Sequence, residues 1–480
     1  MQVLKRQHGL FVTVCFVVGF LVGTGIFFLP GRILYEVDGN ITLGVAAWVI
    51  GGLMIAPCVF MFSRFAARYE NMHGFVDYAE AIVGRRYGYL AGWFFAVMYQ
   101  PAGYAIIAWI TSGFTATLVG MTPGSAEYLP FRFFISAFFM AMTFVVNYLA
   151  PKVPVKFNVA TTVARMIPLV LMGTVGVVIG LIINRSQTPI YYMFAAPPEV
   201  IESLNLFGNA RGYASLFAAI SATAFAFNGW QAALAFNTEV KDSKRKFPIA
   251  LMGGFGLVIV VYVLYFIGIT NASQESTMLI MQGGGGNFAQ GTRNAFEHIF
   301  GRAGGWLVIF MIISGLGILN ACCLGMSRAM YALAKRGTGP MQDRMGELDA
   351  KTNVPNNSMV MAVGIGYVWL FVIFANTMGW FGDFSFHLPD FYNYSFFGLL
   401  VPMFLLYAIR EKGLHPVKRI IFPLIAMAGA VFMFTTYWLG SAQHATVYSI
   451  SFILLALVGY IWYKDAAVSV DTNVAGTDNQ

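Results

Sequence analysis

Gly23-Thr24-Gly25 stands near the middle of an apolar run from Leu10 to Val37, and the chemistry it offers is that of backbone, not side chain. Two glycines in three residues each disfavour helix by about 1 kcal/mol relative to alanine. The run is long enough to cross a bilayer at ~1.5 Å rise per residue. A break at its centre therefore frees N–H and C=O groups where hydrocarbon offers no partners. Such a break persists only where protein buries it or where it lines a cavity, and there the freed groups can hold a ligand. Gly19-x-x-x-Gly23 would also serve as a helix-packing face, although packing leaves the following Thr24-Gly25-Ile26-Phe27 unexplained. A second interruption shows in Phe225-Ala226-Phe227-Asn228-Gly229-Trp230-Gln231, where the turn-forming pair Asn-Gly sits inside another apolar run. A chance kink is the plain alternative there.

The elements that would position these two stretches follow from composition. The chain has 480 residues, 58% hydrophobic and 10% charged, against about 25% charged in a soluble protein. Lipid must be the solvent for much of that apolar surface. Cys15, Cys58, Cys322 and Cys323 all fall in apolar runs with no metal-ligand spacing, so they read as reduced packing residues. The first run is too long for a signal-peptide core. Hydropathy predicts twelve spans, at approximately 10–37, 41–63, 88–119, 131–150, 157–183, 213–237, 248–271, 303–332, 358–376, 389–409, 417–438 and 445–463. Residues 1–463 then form a single transmembrane domain, and 464–480 a disordered polar tail.

With the N-terminus inside, 22 of the 29 Lys and Arg residues fall on the inner side. Six fall outside (Arg32, Arg132, Arg185, Arg211, Arg293 and Arg302), and Arg165 lies within a span. This split satisfies the positive-inside rule with both termini cytoplasmic. The net charge of +8 is thus topological, and nucleic acid is unnecessary. Thr24 and Asn228 lie about 204 residues apart, five spans on. Interrupted spans at matching places in two halves point to an inverted repeat with a binding site between them. Spans 1–5 (about 10–183) and 6–10 (about 213–409) would be the repeats, with spans 11 and 12 (about 417–463) appended.

These residues resemble a known family. Gly23-Thr24-Gly25-Ile26-Phe27 with Pro30 is similar to the first-helix G-[ST]-G-[IV]-F motif of the amino acid–polyamine–organocation transporters. Gly74-Phe75-Val76-Asp77-Tyr78 and Gly92-Trp93 resemble the family's loop between spans 2 and 3, and Tyr99-Gln100-Pro101-Ala102 its third-span Y-G-P signature. Phe225 to Trp230, followed by Glu239 to Pro248, resemble its F-A-[FY]-x-G-[WF] and E-x-K-N-P-K-R-x-x-P. Asn320 to Arg328 and Arg336 to Pro340 resemble the end of its eighth span. The five segments occur in the family's order over about residues 8–430, and the chain looks most like the L-type and small-neutral amino acid exchangers. The resemblance implies an all-α integral membrane protein with twelve transmembrane helices and a LeuT-like 5+5 inverted repeat in which helices 1 and 6 are broken.

Backbone chemistry suits an amino acid substrate. A half-helix N-terminus carries about +0.5 charge and free N–H groups, so Thr24, Gly25 and Ile26 would bind a carboxylate. Carbonyls near Val22 and Gly23 and around Phe225 and Ala226 would accept an ammonium. None of the 21 acidic residues lies near the centre of a span, as expected if backbone recognises both groups. Side-chain choice would rest on Tyr99, Phe225, Asn228, Trp230 and Cys322, with Phe227 and Gly229 completing the second break; core or lipid-facing packing is the alternative for each aromatic. By resemblance, Phe225 is the lid over the substrate.

Arg165 sits about eight residues into the fifth span. It could snorkel to the inner face. Alternatively, many family members carry Lys here, near where sodium-coupled relatives hold a cation, and Arg would supply a fixed positive charge in its place. Arg keeps its proton where Lys can lose it, which favours exchange over proton symport. Gln231 occupies a place where some acid-resistance antiporters of the superfamily carry Glu, which also speaks against proton sensing. Glu239 among Lys241, Lys244, Arg245 and Lys246 reads as an inner-gate ion-pair network or as a solvated basic loop. Gly283-Gly284-Gly285-Gly286 lacks the Lys-Ser/Thr of a phosphate loop.

The expectation is a secondary active transporter working by alternating access in the plasma (cell inner) membrane, by sodium-independent exchange of neutral amino acids. Cationic amino acid or polyamine exchange and proton-coupled symport are the alternatives. No metal or cofactor is expected, no accessory subunit is evident, and no cluster of catalytic side chains argues for an enzyme.

Overall fold

A computed structural model describes residues 9–68, 74–150, 153–183, 213–234, 240–272, 278–280, 288–349, 354–382, 387–411, 415–440 and 442–463. Glu239, the tetraglycine Gly283–Gly286 and the tail 464–480 lie outside the described residues, as do Arg185 and Arg211. The architecture is all-helical, with no strand among the described residues.

The first apolar run forms two helices, α1 (Leu10–Leu21) and α2 (Gly25–Glu36), bent by 47° where Val22-Gly23-Thr24 separates them. Helix α3 (Ile41–Arg68) follows, then the short α4 (Phe75–Val83) and the long α5 (Arg85–Leu118). Inside α5, residues Phe95–Tyr99 form a π turn just ahead of Pro101. Proline donates no N–H, so the helix is free to widen there. Next come α6 (Tyr128–Leu149) and α7 (Val153–Leu171), which continues into π turns at Met172–Gly176 and Ile179–Ile183. The second interrupted run forms α8 (Tyr213–Phe227) and one turn, α9 (Trp230–Ala233). The remainder is α10 (Ser243–Asn271), α11 (Phe288–Phe300), α12 (Val308–Lys335), α13 (Asn356–Thr377), α14 (Leu388–Arg410), α15 (Phe422–Gly440) and α16 (Ala442–Ile461).

Among the described residues nine helices are long and apolar enough to cross a membrane, and ten if α1 and α2 count as one span. The twelve-span reading adds two stretches. One is α7, whose apolar part, Ala160–Gly176, is shorter. The other is the α8–α9 pair, cut at Asn228-Gly229. Sequence hydropathy registers neither interruption, because a π turn or a two-residue break leaves composition unchanged.

Lipid supplies no hydrophobic drive between helices, so close backbone approach and side-chain packing must hold the bundle. Helices α7 and α10 show this where a Cβ on Gly176 would lie 2.3 Å from the Gly268 carbonyl oxygen. The core is aromatic, with Trp48, Trp230, Tyr262 and Phe62 fully buried. By contrast only 17% of the most apolar stretch of α16 is buried, which leaves Ile450, Ile453, Leu454 and Leu457 exposed as a lipid-facing surface.

Candidate substrate site

The two interruptions lie against each other. A Cβ on Gly25, the first residue of α2, would stand 3.1 Å from Ala226 Cα and 3.2 Å from the Phe225 ring. On the other side, Gly229 adopts φ +119°, a conformation that disfavours side chains, and its missing Cβ would lie 2.2 Å from the Phe20 carbonyl oxygen. Glycine is thus required at Gly229 for both space and φ, whereas a Cβ at Gly25 would need Ala226 and Phe225 to give by a few tenths of an ångström. The Tyr262 hydroxyl on α10 lies between the breaks, 2.8 Å from the Leu21 carbonyl and 3.3 Å from that of Ala226.

Arg165 is fully buried and does not snorkel. It reaches from α7 to the C-terminal end of α1, where Nη1 donates to the carbonyls of Gly19 (2.9 Å) and Val22 (2.6 Å). Nε donates to Thr161 O at 3.3 Å and Nη2 to Thr162 Oγ1 at 2.8 Å. The end of a helix carries partial negative charge and carbonyls without intrahelical partners, and a guanidinium with five donors answers both. Gly19 also packs on Thr162, whereas Gly23 faces Ile318 on α12. The two glycines of the G-x-x-x-G pattern therefore meet different helices, and they do not form one packing face.

The N-terminal turn of α2 is different. Thr24 is buried, its side chain caps no backbone group, and its hydroxyl has no hydrogen-bond partner among the described residues. Ile26 beside it is fully buried. The helix start therefore keeps donors that no side chain has claimed.

Around the second break the amides form a chain. Gly229 N–H donates to Gln231 Oε1 (2.8 Å), Gln231 Nε2 donates to Asn228 Oδ1 (3.0 Å), and Asn228 Nδ2 donates to Asn393 Oδ1 on α14. Phe225 packs on Phe28 (ring centroids 5.9 Å) and on Tyr392 (6.0 Å). Tyr99, in the π turn of α5, stacks on Tyr392 at 4.0 Å. The rings continue through Phe396 to Trp230 (5.7 Å) and Phe62 (5.0 Å). In the other direction Phe28 meets Phe288 of α11 at 5.5 Å. Half-buried Cys322 lies within electrostatic reach of Tyr99 and Tyr392.

Of the site residues expected from sequence, Val22 to Ile26, Phe225, Ala226, Asn228 and Gly229 come together at the breaks, and Tyr99 and Trp230 join them through the chain of rings. Phe227 does not. It packs on Trp48 (5.6 Å), Phe255 (5.7 Å) and Tyr262 (5.5 Å), because residues two apart on a helix point to opposite sides. Tyr262, Tyr392 and Asn393 were not expected; each lies in an apolar run with no motif, and only tertiary packing brings it here.

Ion pairs flank the site on both faces. Arg32 of α2 grips both oxygens of Asp390 on α14 (3.0 and 2.7 Å) and meets His387 Nδ1 at 3.1 Å. Thr292 of α11 donates to the Phe27 carbonyl at 3.0 Å. On the opposite face Arg336 pairs with Asp77 and, at 3.0 Å, with Glu80, while Arg68 pairs with Glu411 at 2.6 Å. The described residues contain no group of His, Cys, Asp and Glu able to hold a metal.

A family model described as amino acid permease matches residues 9–461. The chain is 25% identical over 432 residues to a serine/threonine exchanger of Bacillus subtilis (strain 168), covering 90% of each chain. It is 22% identical to the mouse b(0,+)-type amino acid transporter 1, over 96% of this chain and 89% of that one. It is also 22% identical to the mouse Asc-type amino acid transporter 1, over 90% and 76%.

Proposed function

We propose a function from one premise: the chain belongs to the amino acid permease family. It is a multi-pass membrane transporter of amino acids and not an enzyme. Beyond that, we infer sodium-independent exchange of neutral amino acids by alternating access. Ten of twelve spans would be arranged as two inverted repeats, about 10–183 and 213–409, with spans 11 and 12 (about 417–463) appended and both termini cytoplasmic in the plasma membrane.

The observation that carries this reading is the meeting of the two interruptions. One offers an uncapped helix start at Thr24, Gly25 and Ile26, and the other places Phe225 and Ala226 against it. The substrate carboxylate would take the N–H groups of α2. Val22 O already accepts from Arg165, so the ammonium falls to the carbonyls of Gly23 and Phe225. Phe225 would be the lid, and Tyr99, Asn228, Trp230 and Cys322 would face the side chain.

Arg165 supports sodium independence, because a fixed guanidinium on the carbonyls at the end of α1 leaves a cation no role there. It also supports exchange over proton symport, since Arg holds its charge at any physiological pH. Among the described residues Asp390, near the start of α14, is already gripped by Arg32, which leaves it unsuited as the counter-charge of a cationic substrate. The curated relative named as a serine/threonine exchanger recommends labelled serine and threonine as the first probes.

The test is uptake into proteoliposomes in sodium-free buffer. Exchange predicts uptake only into vesicles preloaded with unlabelled neutral amino acid. Equal uptake into empty vesicles would refute exchange, and no uptake of any neutral amino acid would refute the substrate class.

A further inference from the structure

We infer that Asn393 is a positioning residue of the substrate site, holding the second break in register by orienting the Asn228 carboxamide. The inference rests on the site proposed above and adds a residue to it. Asn393 lies on α14, is 0% exposed, and accepts from Asn228 Nδ2. Asn228, 8% exposed, accepts in turn from Gln231, 5% exposed, whose Oε1 takes the Gly229 N–H. Gly229, Gln231 and Asn228 donate in one direction, ending on Asn393 Oδ1, so reversing any side chain would set donor against donor. An amide can both donate and accept, and this chain therefore fixes the rotamers of Asn228 and Gln231 together with the backbone at Gly229.

A second contact from the same helix supports the assignment. Tyr392, one residue before Asn393, packs on Phe225 at 6.0 Å. Adjacent residues of α14 thus hold the last turn of α8 at Phe225 and the break itself at Asn228. If the carbonyl at Phe225 receives the substrate ammonium, α14 sets where that carbonyl points. Asn393 acts on the break through Asn228, and its other polar neighbour is the Tyr437 hydroxyl on α15.

That dependence makes the inference testable in a double-mutant cycle. Uptake of labelled serine into preloaded proteoliposomes would be measured for wild type, Asn393→Ala, Asn228→Gly and the double variant. Asn393→Asp serves as the conservative replacement that keeps an oxygen at the accepting position. Asn393→Ala should raise KM about tenfold, the scale of a buried hydrogen-bond partner lost, with Vmax within about twofold of wild type. Asn393→Asp should restore most of the affinity. In the Asn228→Gly background, Asn393→Ala should change nothing further.

Additive single effects, an equal loss in Vmax, or an unchanged KM would each overturn the positioning role. Should Asn393→Ala fail to reach the membrane, Asn393→Asp against Asn393→Val gives the same comparison, because valine offers Asn228 no acceptor. The two readings fail separately. Absence of saturable uptake by wild type refutes the exchanger and takes this inference with it, whereas normal wild-type transport with an indifferent Asn393 refutes the inference alone.

Discussion

The two interruptions face the same physical demand and meet it differently. Both release backbone groups where water is absent. At the first break a full cation, Arg165, arrives from another helix and satisfies the carbonyls of Gly19 and Val22. At the second, neutral amides do the work, one of them on α9 itself and one on α14. A guanidinium only donates, so it completes the carbonyl end of α1 and leaves the N–H groups at the start of α2 untouched. Amides donate and accept, so they take the Gly229 N–H and lock one another's orientation, while none of them donates to the Phe225 carbonyl. The first break is thereby left open to a carboxylate, and the second is built to be held still.

Substitutions can break or sharpen that contrast. The largest effect is expected from Gly25→Leu, which fills the contact with Ala226 and Phe225. Substrate binding should disappear, with a drop of at least ~100-fold in uptake, while detergent-purified protein stays monodisperse; wild-type affinity would remove α2 from the site. Next is Arg165→Lys. One ammonium cannot span the carbonyls that the fork reaches, so uptake should fall about tenfold. Burial also favours the neutral amine, so the remaining activity should decline as pH rises through the range where wild type is flat. A flat profile for the variant would show that the charge there is not buried.

Phe225→Ala should slow turnover about fivefold or more, since the ring touches Phe28 and Tyr392 and its loss costs packing on the order of 3 kcal/mol. Unchanged uptake kinetics at normal expression would exclude the lid. The smallest effect belongs to Tyr262→Phe. It removes one hydroxyl shared between Leu21 and Ala226, worth about 1 kcal/mol, and should lower the melting temperature of the purified protein by a few degrees, with KM raised by less than fivefold. If Tyr262→Phe proved more damaging than Arg165→Lys, the cation would not be what holds the first break.

Much of this was legible from residues alone. Gly23-Thr24-Gly25 and Asn228-Gly229 announce their own backbone behaviour, because glycine and asparagine act locally. Helix content and membrane residence follow from composition for the same reason. The partners were not legible. That Arg165 is buried depends on α7 lying against α1, and the two readings of its charge were indistinguishable until Gly19 and Val22 stood beside it. Asn393 is one asparagine in the run Phe391-Tyr392-Asn393-Tyr394, and nothing local says which helix it addresses. Phe227 misled for the opposite reason: it belongs to a motif, yet its side of the helix faces the core.

The chain of rings from Phe288 to Phe62 has an optical consequence. Trp230 is one of nine tryptophans, sits just past the second break, is fully buried, and lies 5.7 Å from Phe396 and 5.0 Å from Phe62. A buried indole emits in the blue and is shielded from aqueous quenchers. Any rearrangement that admits water beside α9 shifts that emission to the red and exposes it to iodide. With the remaining tryptophans replaced by phenylalanine, the protein becomes its own fluorophore, reporting each opening of the second break without a label.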